Sequence, residues 1–163
     1  MGQEERKLPI GIQSFEKIIS NDNIYVDKTE YIYRLVHTSV PYFLSRPRRF
    51  GKSLLLSTMK AYWEGKNELF RGLKIEELEK DNPDAWQEYP VFYFDFNKAN
   101  FADKGVLEAI IEVHLHEWEE QYGETSNEIP LGARFGQLLK AAAKATGKKC
   151  VVLVDEYDKP LLE

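Results

Sequence analysis

The sequence contains a single cysteine, Cys150, in 163 residues. A lone thiol can form neither an internal disulfide nor a cysteine-based zinc cluster. Cys150 lies in an apolar run of strand character, so a reduced, buried thiol is expected. An excess of one charge is also lacking: 22 Lys and Arg oppose 27 Asp and Glu, a net charge of -5. That balance excludes a general attraction for DNA or an anionic membrane; any nucleic-acid contact would rest on Arg46, Arg48, Arg49 and scattered lysines. No apolar stretch approaches the length of a membrane span, and residues 1–7 lack the apolar region of a secretory signal. A cytoplasmic protein with no membrane partner is expected. Internal repeats and low-complexity linkers are missing too, which excludes a solenoid.

What is present is enough apolar material for one ordinary domain, 43% of residues, including 9 Tyr and 9 Phe. Residues 8–26 carry Ile10, Ile12, Phe15, Ile18, Ile19, Ile24 and Tyr25 and read as a wrap over a core. Asp27-Lys28-Thr29-Glu30 reads as a helix start, with Asp27 as N-cap, Glu30 reaching back, and a stripe of Tyr31, Ile32, Leu35 and Val36 ending near His37. Residues 41–44 have the composition of a short buried parallel strand, and residues 52–64 that of a helix stopped by Gly65. Residues 67–89 read as short helices or turns. A second strand is expected at 91–94, ending in Asp95, followed by a helix over 103–122 with Leu107, Ile111, Leu115 and Trp118 in its stripe. A further helix at 131–145 stops at Gly147, and the β-branched run 150–154 is a third strand. Alternating strands and helices imply an α/β fold, a parallel sheet with helices on both faces. The expected division is a wrap and helix over 1–38 and a core over 39–163.

The chemistry concentrates in two places. Binding a polyphosphate through backbone amides needs a tight loop opening a helix, a Lys for the terminal phosphates and a hydroxyl for Mg²⁺. Gly51-Lys52-Ser53 supplies these, and Arg48, Arg49, Phe50 and Leu54 flank them as candidate nucleotide contacts. Six residues before Lys52, where this motif has glycine, stands Arg46, implying a differently shaped loop entry. Arg48 and Arg49 read equally well as phosphate contacts, as contacts to a neighbouring element, or as solvated charges. About a hundred residues later, the spacing of an α/β nucleotide-binding domain, the third strand ends in Asp155-Glu156. An acidic residue there holds Mg²⁺ together with the loop hydroxyl of Ser53, and a following Glu polarises the attacking water, which makes Glu156 the candidate general base. Asp158 reads as an orienting group or as a solvated turn carboxylate, and Asp95 as a second crevice-facing acid or a plain strand end. His114 and His116, two apart on a helix, point in different directions and do not form a metal site.

Four strings carry a family resemblance: Leu8-Pro9-Ile10-Gly11, Tyr25-Val26-Asp27-Lys28-Thr29, Ser45-Arg46-Pro47-Arg48-Arg49-Phe50-Gly51-Lys52-Ser53 and Val154-Asp155-Glu156-Tyr157-Asp158-Lys159-Pro160. Together they resemble the bacterial AAA-ATPase-like proteins, in which Arg46 in place of glycine is usual. The resemblance implies a P-loop NTPase fold of the additional-strand class, ATP and Mg²⁺ as ligands, a catalytic Glu156, and residues from Ile10 to Lys28 near the adenine. It also implies a longer chain carrying a PD-(D/E)XK nuclease-like domain at its C-terminus. On that reading the 163 residues are the N-terminal half of the fold, and the strand between those bearing Lys52 and Asp155 is missing. Either the two strands pair directly or something else, such as another chain in an oligomer, fills the gap. Two functions follow as expectations: an ATPase whose full-length form hydrolyses ATP while this piece is slow, or a non-hydrolysing, nucleotide-gated interaction module.

Overall fold

The computed structural model describes residues 6–38, 40–45, 47, 49–97, 101, 103, 105–123, 125 and 128–162. They form two compact units, the first ending at Glu88 and the second starting at Tyr89.

The first unit is helical. α1 (Phe15–Ser20), α2 (Thr29–Val36), α3 (Lys52–Trp63), a 3-10 turn (Asn67–Phe70) and α4 (Lys74–Leu78) follow one another. Its core gathers Phe15, Ile32, Met59, Tyr62, Phe70 and Ile75, with Trp86 packed against them. The stretch read as a wrap contains α1, whose Phe15 and Ile18 are fully buried, whereas Leu8 and Ile10 stand exposed. The helix arises because Phe15, Ile18 and Ile19 recur at helical spacing behind Ser14, whose hydroxyl caps the amide of Lys17 at 3.4 Å. α2 starts at Thr29 with Lys28, not Asp27, at its N-cap position and no side-chain cap bond, and Glu30 turns outward to Lys74 at 2.5 Å instead of reaching back. Asp27 has a wider job than a cap. One oxygen accepts from the Thr29 amide and hydroxyl, the other from the Lys74 amide at 2.7 Å, so it joins the starts of α2 and α4. Burial alone would raise its pKa, but these hydrogen bonds and the Lys74 charge outweigh it and hold the carboxyl below its ordinary value. The Thr29 hydroxyl in turn accepts from the Ile75 amide.

α3 stops where Gly65 takes a left-handed φ of 70°. A Cβ there would meet the Trp86 carbonyl oxygen at 2.9 Å, whereas Gly72, at φ 75°, faces open space. Gly65→Ala is therefore expected to cost more than the about 1–2 kcal/mol that left-handed backbone alone costs a residue with a Cβ, and Gly72→Ala no more than that. Denaturant midpoints of the two variants check the difference.

The strand expected at residues 41–44 does not form. Tyr42, Phe43 and Leu44 are all exposed, without the alternation or burial of a sheet strand, and Phe43 reaches 72%. A strand has no hydrogen bonds of its own and exists only beside a partner. The sheet among the described residues consists of the other two expected strands.

That sheet is in the second unit. β1 (Val91–Asp95) and β2 (Val151–Asp155) pair in parallel, with Val91 opposite Val151 and Asp95 opposite Asp155. Between them run α5 (Val106–Tyr122) and α6 (Leu131–Thr146), and α7 (Lys159–Leu162) follows. α6 ends at a left-handed Gly147, as its sequence position implied. Period-2 alternation sends Phe92 and Phe94 to one face, where Trp118 of α5 and Phe135 of α6 meet them edge-on. Leu115, Leu138 and Ala142 complete this core. On the same face of β2, Val152 and Val154 remain exposed. Cys150 is half-buried, not fully buried; its thiol donates to the Leu139 carbonyl and burial pushes its pKa up. No helix among the described residues is long and apolar enough to cross a membrane.

Candidate functional site

The phosphate-loop residues belong to the first unit. Gly51 precedes α3 in left-handed backbone, φ 78°, with open space where a side chain would project. The demand for glycine is thus conformational and not steric. Arg49 is also left-handed, φ 68°, an unfavourable conformation for a residue with a Cβ. Arg46 and Arg48 lie outside the described residues.

The first hydrogen bond of α3 runs from the Leu55 amide to the Gly51 carbonyl, 2.9 Å. The amides of Lys52, Ser53 and Leu54 precede it and have no acceptor within the helix. Among the described residues no side chain caps them, and the first turn contains no acidic residue to offset the positive end of the helix dipole. Lys52 is half-buried and engages no ion pair or hydrogen bond among the described residues. Phe50 is exposed, and Ser53 and Leu54 are half-buried. The far end of α3 is fixed by burial of Thr58, Met59, Ala61 and Tyr62, and the Ser57 hydroxyl accepts from the Phe15 amide at 2.8 Å. The anchored helix therefore carries an open, positively polarised N-terminus.

The acidic residues belong to the second unit. Asp155 ends β2 and is only 3% exposed. Its Oδ1 accepts from the Glu156 amide at 3.0 Å, its Oδ2 from the Tyr93 hydroxyl at 3.1 Å. Burial first, then the Asp155 charge and hydrogen bond, then the Asp95 charge raise the Tyr93 pKa, so the phenol stays protonated. Glu156 leaves the strand in left-handed backbone, φ 55°, and its carbonyl accepts from the Lys159 amide to close the turn. Lys159 also donates its ammonium to the Asn97 carbonyl at 2.7 Å, tying the turn after β2 to the turn after β1. Asp95 accepts from the Asn97 amide, and Asp158 has one buried oxygen without a hydrogen-bond partner among the described residues. His114 stacks on Trp118 while His116 approaches Glu119 at 3.3 Å, so the two imidazoles do turn different ways.

Taken unit by unit, the donor types suit parts of the chemistry of a nucleotide with Mg²⁺. In the first unit, amides without a helical acceptor beside an ammonium that has no partner among the described residues suit phosphate, and the Ser53 hydroxyl is a hard oxygen donor; in the second, the buried Asp155 carboxylate is another. The sequence reading missed Tyr93, although its place two residues before Asp95, on the face shared with Asp155, follows from strand periodicity once the register is known. Within the segment from Ile10 to Lys28, Asp27 is bound into the joint between α2 and α4.

No solved structure matches the chain. A protein of Azotobacter chroococcum mcd 1, described as an uncharacterized protein in the vnfD 5' region, is 43% identical over 159 residues, covering 97% of this chain. The chain spans 30% of that relative's length. The profile of the AAA-ATPase-like family, described as predicted AAA-ATPases, matches residues 9–163, nearly the whole sequence, and the chain belongs to that family.

Proposed function

We propose that this chain binds ATP with Mg²⁺ as a P-loop domain and that the protein containing it hydrolyses the nucleotide. The observation that carries the reading is the start of α3: a left-handed Gly51, three amides without a helical acceptor and a Lys52 with no partner among the described residues, in a chain of this family. In this reading the amides of Lys52, Ser53 and Leu54 hold phosphate oxygens, and the Lys52 ammonium neutralises the terminal phosphates. Phe50 and Arg49 border the phosphates, and Arg48 remains a candidate contact from its sequence position alone. In the first unit the Ser53 hydroxyl is the proposed oxygen ligand for Mg²⁺, and in the second unit Asp155 is the proposed carboxylate ligand, Mg²⁺ serving to neutralise charge that develops on the phosphates. Glu156 accepts the proton of the attacking water. Exposed Ile10 and Val26 offer uncovered apolar surface to a base. The left-handed backbone of Glu156 supports its role, since conformations of this kind persist where function selects them.

Lys52→Ala tests the reading. It is expected to weaken binding of a fluorescent ATP analogue about 30- to 150-fold, the loss of a charge-assisted hydrogen bond of about 2–3 kcal/mol, with the melting temperature unchanged. Undiminished binding would reject the phosphate loop. Phosphate release by the complete protein at saturating ATP and Mg²⁺ then separates the ATPase from a nucleotide-gated module, the alternative motivated by Arg46. Sustained turnover excludes the module.

A further inference from the structure

We infer that Tyr93 is a positioning residue for the Mg²⁺ ligand Asp155; this rests on the proposed nucleotide site. The juxtaposition comes from the sheet register. Tyr93 pairs with Leu153 and Asp95 with Asp155, so the phenol and the carboxylate project from the same face of adjacent parallel strands. Their oxygens meet at 3.1 Å.

An Asp at the end of a strand has two free side-chain torsions and, in solvent, many orientations. Here two donors hold it, the Glu156 amide on Oδ1 and the Tyr93 hydroxyl on Oδ2. Each carboxylate oxygen has two acceptor sites, so one on each remains open after these bonds are made. A neutral donor matters for this task. An Arg or Lys in the same place would orient Asp155 equally well but cancel the charge that a cation needs, whereas a phenol fixes the carboxylate and leaves that charge intact. The run Phe92, Tyr93, Phe94, Phe96 makes the same point in sequence. The three phenylalanines fill the core against α5 and α6, and the hydroxyl occurs at the position facing Asp155. Groups behind a metal ligand act in this way, fixing its orientation without touching the metal.

The test is a Mg²⁺ titration of fluorescent ATP-analogue binding to the 163-residue chain, in wild type, Tyr93→Phe and Asp155→Asn. Phe keeps the ring and removes one oxygen. Tyr93→Phe is expected to raise the half-saturating Mg²⁺ concentration about 10-fold, while metal-free analogue affinity stays at its wild-type value and the melting temperature falls by no more than the loss of one hydrogen bond to a buried carboxylate. A titration unmoved in Tyr93→Phe but shifted in Asp155→Asn overturns the positioning role and leaves the site reading standing. A titration unmoved in both removes Asp155 from the metal site, and the inference with it. Parallel loss of metal-free affinity in Tyr93→Phe makes the bond merely structural and overturns the inference as well.

Discussion

Glu156→Gln in the complete protein is expected to lower ATP turnover by about 10²- to 10⁴-fold, the range contributed by a positioned general base, while ATP affinity stays within a factor of two to three. The substitution keeps the size and shape of the side chain and removes its capacity to take a proton. Three features make the loss specific to chemistry. The proposed phosphate contacts come from the amides at the start of α3 and from Lys52, neither of which Glu156 supplies. The bonds that shape the turn are main-chain bonds of Glu156, its amide to Asp155 and its carbonyl to the Lys159 amide, and Gln keeps both. The left-handed φ of 55° is equally unfavourable for Glu and Gln, so backbone strain does not change. Phosphate release at saturating ATP and Mg²⁺, beside analogue affinity, reads the two quantities separately. Turnover at the wild-type rate would remove the general base, and a matching fall in affinity would make Glu156 a binding residue.

Much of this was legible in local sequence because its causes are local. The start of α3 is marked by Gly51, the end of α6 by Gly147, and β2 by an uncharged β-branched run. Each follows from the backbone freedom or side-chain shape of nearby residues. What failed depended on partners distant in the chain. Residues 41–44 have the composition of a strand, but composition cannot provide the neighbour a strand needs. Asp27 looked like an N-cap or a ligand-side residue; its bond to the Lys74 amide, from a helix 47 positions away, gives it a structural duty as well. The Tyr93 to Asp155 bond spans 62 positions and depends on the register of two strands. In the candidate site, therefore, the groups proposed to touch ligand could be named from sequence, while the group that orients one of them could not.

The same limit hid a buried ion pair of the second unit, and a large stability effect is expected there. Arg134 on α6 donates from Nε and Nη2 to the two oxygens of Glu119 on α5, both at 2.6 Å, and both side chains are buried. The Thr125 hydroxyl also bonds to Glu119. Hydrogen bonds from Arg134, opposed by burial and aided by Thr125 and by the charges of Arg134 and His116, pull the Glu119 pKa down to about 2. Arg134→Leu would leave a carboxylate buried without its counter-charge, a loss of about 3–5 kcal/mol, a large part of the stability of an ordinary domain. Glu119→Leu combined with Arg134→Leu should recover most of it, because the cost lies in the orphaned charge more than in the missing attraction. The pH dependence has a definite sign. Glu119 has a folded pKa below its ordinary 4.5, so the unfolded chain takes up the proton first as pH falls. The pair's contribution is complete above about 4.5 and is lost as pH falls toward 2. Urea midpoints measured from pH 7 down to about 3 should therefore fall more steeply below about 4.5 in wild type than in Arg134→Leu, where protonating Glu119 relieves a buried charge and stabilises the variant instead. Parallel profiles in the two proteins would show that the guanidinium does not set the carboxylate's proton affinity.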